Sequence, residues 1–185
     1  MVVKWLRENI IARIILTIAR IWVGWQFLSA GIEKVSSATW VGSKAGVAIS
    51  GFFNGAISKM GGDHPSVQGW YGSFLKDFCL PNAAGFSYLI AFGELLVGIA
   101  LIVGLLTTFA TLMGIVMNFA YMFAGTVSTN PNMAIVEIFL LVAGFNAAYY
   151  GLDYWVIPYL RKHFAQDKER YESTGNAGGS GKLHV

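Results

Sequence analysis

Arg20-Ile-Trp-Val-Gly24-Trp-Gln-Phe27-Leu-Ser-Ala-Gly31-Ile-Glu33-Lys34 is the second half of an apolar run that begins near Ile10. It carries an arginine where a membrane-spanning helix rarely tolerates one. A charge at bilayer depth costs roughly 2.5–3.5 kcal/mol on insertion scales, so it is kept facing a partner or a cavity. On a helix, Arg20, Gly24, Phe27 and Gly31 share one face, with Lys34 close to it. The glycines leave room for a second helix to approach along the line on which the arginine points inward. The chain must therefore supply a partner for Arg20.

Composition narrows where that partner lies. Of 185 residues, 55% are hydrophobic, 15% aromatic and 12% charged, and the mean hydropathy is +0.56. Soluble domains carry about 25% charged residues, so half that density implies a polytopic membrane protein. The length suits one small bundle without a separate soluble domain. The net charge is +3, with basic residues near the expected membrane ends, which argues against a nucleic-acid partner. Cys79 is the one cysteine, which excludes an internal disulfide and a C-x-x-C redox pair. Leu28-Ser-Ala30-Gly31 has the small residues of a signal-peptide cleavage site. The spanning length of the run and the interrupting Arg20 favour a retained helix instead.

Hydrophobic patterning predicts an all-α integral membrane four-helix bundle in a single domain over residues 1–172, with spans at about 10–31, 83–106, 109–127 and 133–152. A basic lead-in, Met1–Asn9, precedes the first span. Residues 36–82 are too polar and glycine-rich to cross, and form a long, partly helical extracytoplasmic cap between the first two spans. Its apolar residues recur at helical spacing through Val41, Ala45, Ala48 or Ile49, Phe52 or Phe53, and Ala56 or Ile57. After a break at Gly61-Gly62-Asp63-His64-Pro65, Trp70, Phe74 and Phe78 share one side of a second helix, with Tyr71 and Leu75 beside them. A charged helix, Arg161–Glu172, follows the last span, and the Gly/Ser-rich tail 173–185 is expected to be disordered. Lys4, Arg7 and Arg13 flank the start and Arg161, Lys162, Lys168 and Arg170 the end, so both termini are placed in the cytoplasm by the positive-inside rule. The protein is thus read as multi-pass in the plasma membrane, with Cys79 at the outer face.

Between Ala83 and Leu152 the only charged residues are Glu94 and Glu137, and neither is basic. A cation for the bundle must come from the first span or its end. At 1.5 Å per residue, Arg20 is expected about 15 Å above the inner end of the first helix, and Glu94 about as far below the outer end of the second. Asn118 falls near the middle of the third, so three polar residues are expected to meet at one depth. Glu137 is placed nearer the surface, close to Glu33 and Lys34. A buried Arg20–Glu94 pair gains little over apolar packing, which points to a ligand or a proton role as well as a structural one. Asn118 and Asn146 are read first as hydrogen bonders between helices. His64 has no second His or Cys at metal-ligand spacing, so no metal is expected.

Arg20-x3-Gly24-x6-Gly31-x2-Lys34, followed by Gly93-Glu94-x3-Gly98-x5-Gly104-Leu-Leu-Thr107-Thr108, resembles the DoxX/DoxD family of small four-helix membrane proteins. The long aromatic insert before Pro81 is similar to the DoxD-like branch. That resemblance implies the membrane subunit of a quinone-linked oxidoreductase, of the thiosulfate:quinone type, working with a small second subunit or a soluble redox partner. A homo-oligomer is left open. Carried over by position, the matching residues are Arg20, Gly24, Gly31, Lys34, Glu94, Gly98 and Gly104. Glu94 and Arg20 are the candidate catalytic residues. Arg20, Lys34, Glu94, Asn118 and Glu137 are the candidate ligand contacts, and Gly24, Gly31, Gly98 and Gly104 the helix-packing positions. A quinone needs an apolar slot with a polar end and a nearby acid, and Trp22, Trp25, Phe92 and Tyr121 are expected to line it. The alternative is a non-enzymatic membrane scaffold that recruits a soluble redox enzyme through Arg161–Glu172.

Overall fold

The computed structural model describes residues 1–163 as an all-helical chain, with no strand among them. The expected tail 173–185, and the part of the charged helix from residue 164 on, lie outside the described residues. The basic lead-in is itself a helix, α1 (Val2–Glu8), and Asn9 then starts α2 (Ile10–Val35) by accepting from the N–H groups of Ile11 and Ala12. That side chain satisfies two of the amide donors that any helix leaves open at its start. The cap contains α3 (Val47–Ile57) and α4 (Gly69–Phe74), and α4 runs on into a π turn at Leu75–Cys79. Then come α5 (Ala83–Val103), α6 (Thr107–Phe123), α7 (Asn130–Ala143) and the short α8 (Phe145–Ala148). Residues 153–163 are helical again.

α2 packs along α5, α5 touches α6, α6 packs on α7, and α7 returns to α2. The outward faces are apolar. Ile11, Ile14, Ile18, Leu89, Leu96, Phe109 and Val116 are all exposed, far more apolar surface than a water-soluble protein presents. α2 and α5 are long and apolar enough to cross a membrane, and only 33% of the apolar window of each is buried. A core helix of a soluble domain would be mostly covered; these two are mostly bare, as helices facing lipid are. α6 and α7 are shorter apolar helices. Among the described residues the structure is that of an all-helical membrane protein.

Boundaries differ from those expected. α2 runs four residues past Gly31, which places Lys34 in its last turn. α5 stops at Val103, where Gly104 takes the left-handed conformation (φ 71°) that ends helices without a side-chain clash. The expected fourth helix over 133–152 is broken. α7 ends at Ala143, Gly144 turns the chain with φ 58° and ψ −127°, and α8 leads away in a new direction.

The cap has its own core. Ile49, Phe53 and Ala56 of α3 pack against Tyr71, Leu75 and Cys79. Trp70, Phe74 and Phe78 point outward and are exposed, so the buried stripe is the neighbouring one. An outward aromatic stripe suits the membrane–water boundary, where amphipathic rings collect.

Candidate functional site

The site is set by how closely α2 and α5 approach. A Cβ on Gly24 would lie 2.9 Å from Ile102, one on Gly31 would lie 2.5 Å from the Leu95 nitrogen, and one on Gly98 would collide with the Leu28 backbone. Only glycine permits this spacing at any of the three. The contacts also fix an antiparallel register, pairing Gly24 with Ile102, Leu28 with Gly98 and Gly31 with Leu95. Continued in both directions, that register sets Lys34 beside the Glu94 turn of α5 and sets Arg20 level with Leu106, beyond the end of α5.

The charges follow the register. Lys34 Nζ donates to Glu94 Oε2 at 2.6 Å. The Tyr121 hydroxyl, from α6, donates to the other oxygen, Oε1, at 2.5 Å. Glu94 is buried, while Lys34 keeps partial access and lies 5.3 Å from the centre of the Trp40 ring. Lys34, Glu94, Tyr121 and Asn118 line one cavity of about 340 Å³, together with Gln26, Trp40 and the turn carrying Thr129 and Asn130. The cavity lies at the cap end of the helices, where Trp40, Ile49 and Phe52 also line it. Its polar atoms come from α2, α5, α6 and the α6–α7 turn, so only the folded helices assemble it.

Asn118 also faces inward. Its Nδ2 donates to Glu137 Oε2 at 2.7 Å. Glu137, expected nearer the outer end and close to Glu33 and Lys34, lies behind Asn118 at the cavity that Lys34 also lines. It is fully buried against Gly114 and Phe27, and its Oε1 and Asn118 Oδ1 are without hydrogen-bond partners. A Cβ at position 114 would overlap the Glu137 carboxyl. Two carboxyl groups thus stand around the cavity, Glu94 on its wall and Glu137 behind Asn118.

Arg20 does not meet Glu94. It is 1% exposed and lies near the middle of α2, beside the C-terminal end of α5, where Nη2 donates to the Tyr150 carbonyl at 2.9 Å. Its guanidinium occupies space left free by Gly104 and Gly151. Gly104 therefore serves as helix terminator and Arg20 seat rather than as part of the α2–α5 glycine seam. The acidic charge acting on Arg20 is Asp153. That carboxylate also accepts from the Leu106 and Thr107 amides, each at 2.7 Å, and so caps α6 from another segment. Asn146 ties the same end to the N-terminus, donating to the Leu6 and Asn9 carbonyls and accepting from Arg13.

Of the aromatic residues expected along the slot, Tyr121 lines the cavity, whereas Trp22, Trp25 and Phe92 are exposed on outward faces. Sequence reading missed Asp153 and the Lys34–Glu94 pairing. The signal for the pairing was present: matching the small residues of α2 against those of α5 yields the register, and the register gives the pair. Among the described residues no group of three or more His, Cys, Asp or Glu side chains is arranged to hold a metal ion.

Compared with models of protein families, the chain matches DoxX over residues 15–128. No curated protein matches it, and no solved structure does.

Proposed function

The chain belongs to the DoxX family, and from that premise we propose that it is the membrane subunit of a quinone-linked oxidoreductase of the thiosulfate:quinone type. In this reading α2, α5, α6 and α7 are four membrane spans, both termini are cytoplasmic and the cap faces outward. One observation carries the proposal: a lysine–glutamate–tyrosine cluster, with its carboxylate buried, lines a cavity inside an otherwise apolar, lipid-facing molecule. A charge cluster of this kind adds little stability over apolar packing and marks ligand or proton pathways in membrane proteins.

The residues fit a quinone head. Such a ring offers two carbonyl oxygens to donors: Lys34 has N–H groups beyond the one given to Glu94, and the Tyr121 hydroxyl would turn from Glu94 to the ring. When bound, a quinone would take up two electrons released as two sulfur-donor anions join, and two protons from the surrounding water. Lys34 and Tyr121 hold and orient the polar end, Asn118 fixes the opposite wall, and Glu94 Oε2 is the atom at which a proton is held or passed. Trp40 and the Thr129–Asn130 turn limit water at the mouth. An anionic sulfur donor arriving from the cap side meets Lys34, whereas Arg20 lies at the far end and holds structure there. Cys79 is buried and single, so the sulfur chemistry is assigned to a second subunit or a soluble partner.

Protein purified in native lipid is expected to carry quinone at near-stoichiometric amount. An added short-chain quinone should raise thermal stability, by about 2.7 kcal/mol at a hundredfold excess over Kd. Lys34→Met and Tyr121→Phe should each reduce that shift. Absence of extracted quinone, with no shift in the wild type at high ligand concentration, rules the reading out.

A further inference from the structure

A second cavity, of about 570 Å³, lies beside the first between α5 and α6, beneath the cap. Its walls include Phe53, Phe74, Gly93, Met113 and Met117. The two hydroxyl groups on its boundary are already engaged elsewhere, since Tyr71 donates to the Ala120 carbonyl and Tyr121 to Glu94. The groove has almost nothing to offer a polar group. Two residues, Phe52 and Tyr121, line both this groove and the polar cavity. Their rings meet edge to face, with centroids 6.0 Å apart, and form the partition between the two spaces. Gly93 and Glu94 straddle it: Glu94 turns its carboxyl into the polar cavity while Gly93 faces the groove. A Cβ at Gly93 would only touch the Met117 methyl at 3.7 Å, so the groove is open there.

We propose that the ligand of the Lys34–Glu94 cavity is a chain-bearing amphiphile, with its head in the polar cavity, its apolar chain in the groove between α5 and α6, and Tyr121 and Phe52 as the gate where the two parts join. The inference rests on the head-group reading above and adds the part of the ligand that confers membrane solubility. The polar cavity, about 340 Å³, takes a substituted ring but not a long chain as well. A chain leaving the cavity toward the cap would enter water. The groove on the far side of the Tyr121 ring keeps it in apolar surroundings, and rotation of that one ring opens the way. Ligand pockets usually pair a large apolar wall with a few placed polar groups; here the two are divided between adjoining spaces.

The test uses the full-length protein in detergent and two probes with the same dimethoxy-methyl-benzoquinone ring, one carrying a decyl chain and one chainless. Binding is read as Kd from tryptophan fluorescence, with Trp40 on the cavity wall as reporter. In the wild type the decyl probe should bind at least tenfold tighter; detergent already shields the free chain, so the gain falls well short of that for burying the whole chain from water. Gly93→Leu, which fills the groove, should bring that ratio close to one and leave the chainless Kd unchanged. Met117→Phe closes the same groove from α6 and should do likewise, so a folding defect in one variant does not decide the matter. Equal wild-type affinities, a chain preference that survives both substitutions, or an equal loss for both probes would overturn the groove assignment while leaving the head site standing. If neither probe binds the wild type, the head site fails and this inference with it.

Discussion

Lys34 is 20% exposed and Glu94 3%, so their pair stands between two regimes. Exposed ion pairs contribute about 0–1 kcal/mol. Removing one member of a buried pair costs about 3–5 kcal/mol, because the other is left uncompensated. Glu94 keeps Tyr121 on Oε1 when Lys34 is lost, which softens the effect. In a double-mutant cycle of Lys34→Met and Glu94→Gln, followed by denaturation, the coupling energy is expected at about 1–3 kcal/mol. Arg20→Met combined with Glu94→Gln should be additive within about 0.5 kcal/mol, since Arg20 sits level with the residues just past α5 and Glu94 lies about three turns back along α5, with no partner in common. Strong coupling between Arg20 and Glu94 would contradict the structure. The inward face of Arg20, Gly24, Phe27 and Gly31 was legible from spacing, because a charge in an apolar helix must turn inward and all four are buried. Its partner was not legible. Depth counting assumed that α2 and α5 begin flush, whereas α2 overhangs α5 from Ile10 to about Arg20. The groups that receive Arg20 come from beyond the break at Gly144, and helical periodicity carries no information across such a turn.

At the level of helices, glycine positions divide into two kinds. In α2 and α5 they are contact points between backbones, which cannot yield as a side chain can. Gly31→Ala and Gly98→Ala should each push the helices apart and cost about 1–3 kcal/mol, the usual range for overpacking. Gly51, inside α3, would carry a Cβ with nothing within 4 Å. Gly51→Ala should therefore stabilise by about 0.5–1 kcal/mol, as removal of a helix-interior glycine does. Thermal unfolding of the three variants checks the contrast, and a neutral Gly31→Ala would show that α2 and α5 do not approach as closely as described. In the cap, helical spacing located both segments but not which stripe of the second is buried. Two adjacent apolar stripes satisfy the same period, and the π turn at Leu75–Cys79, where the Leu80 amide reaches back to the Leu75 carbonyl, rotates the later residues.

For the molecule as a whole, Cys79 is a poor reporter of orientation. The thiol is buried in the cap core, and burial pushes its pKa up. A raised pKa keeps it protonated at neutral and mildly alkaline pH, and the thiolate is the reactive form. Cys79 should resist thiol reagents until the protein is unfolded. Asp63→Cys in a Cys79→Ser background places a thiol at an exposed position of the cap. An impermeant maleimide should label it on intact cells; labelling only after permeabilisation would invert the orientation. The Asp153 cap of α6 has a consequence of another kind, in the order of synthesis. Residue 153 is translated 46 positions after Thr107, so α6 is made with its first amides unanswered and receives its cap only when the returning chain arrives. The turn between α5 and α6 stays provisional during biogenesis, and the molecule closes from its late end. Asp153→Ala should cost about 0.5–2 kcal/mol as a lost cap, and more because buried Arg20 loses the acidic charge acting on it, measured by denaturation. Inside the cell it should cost more than that figure suggests, since each nascent chain would wait in the membrane for a closure that never comes, within reach of the proteases that clear unfinished proteins.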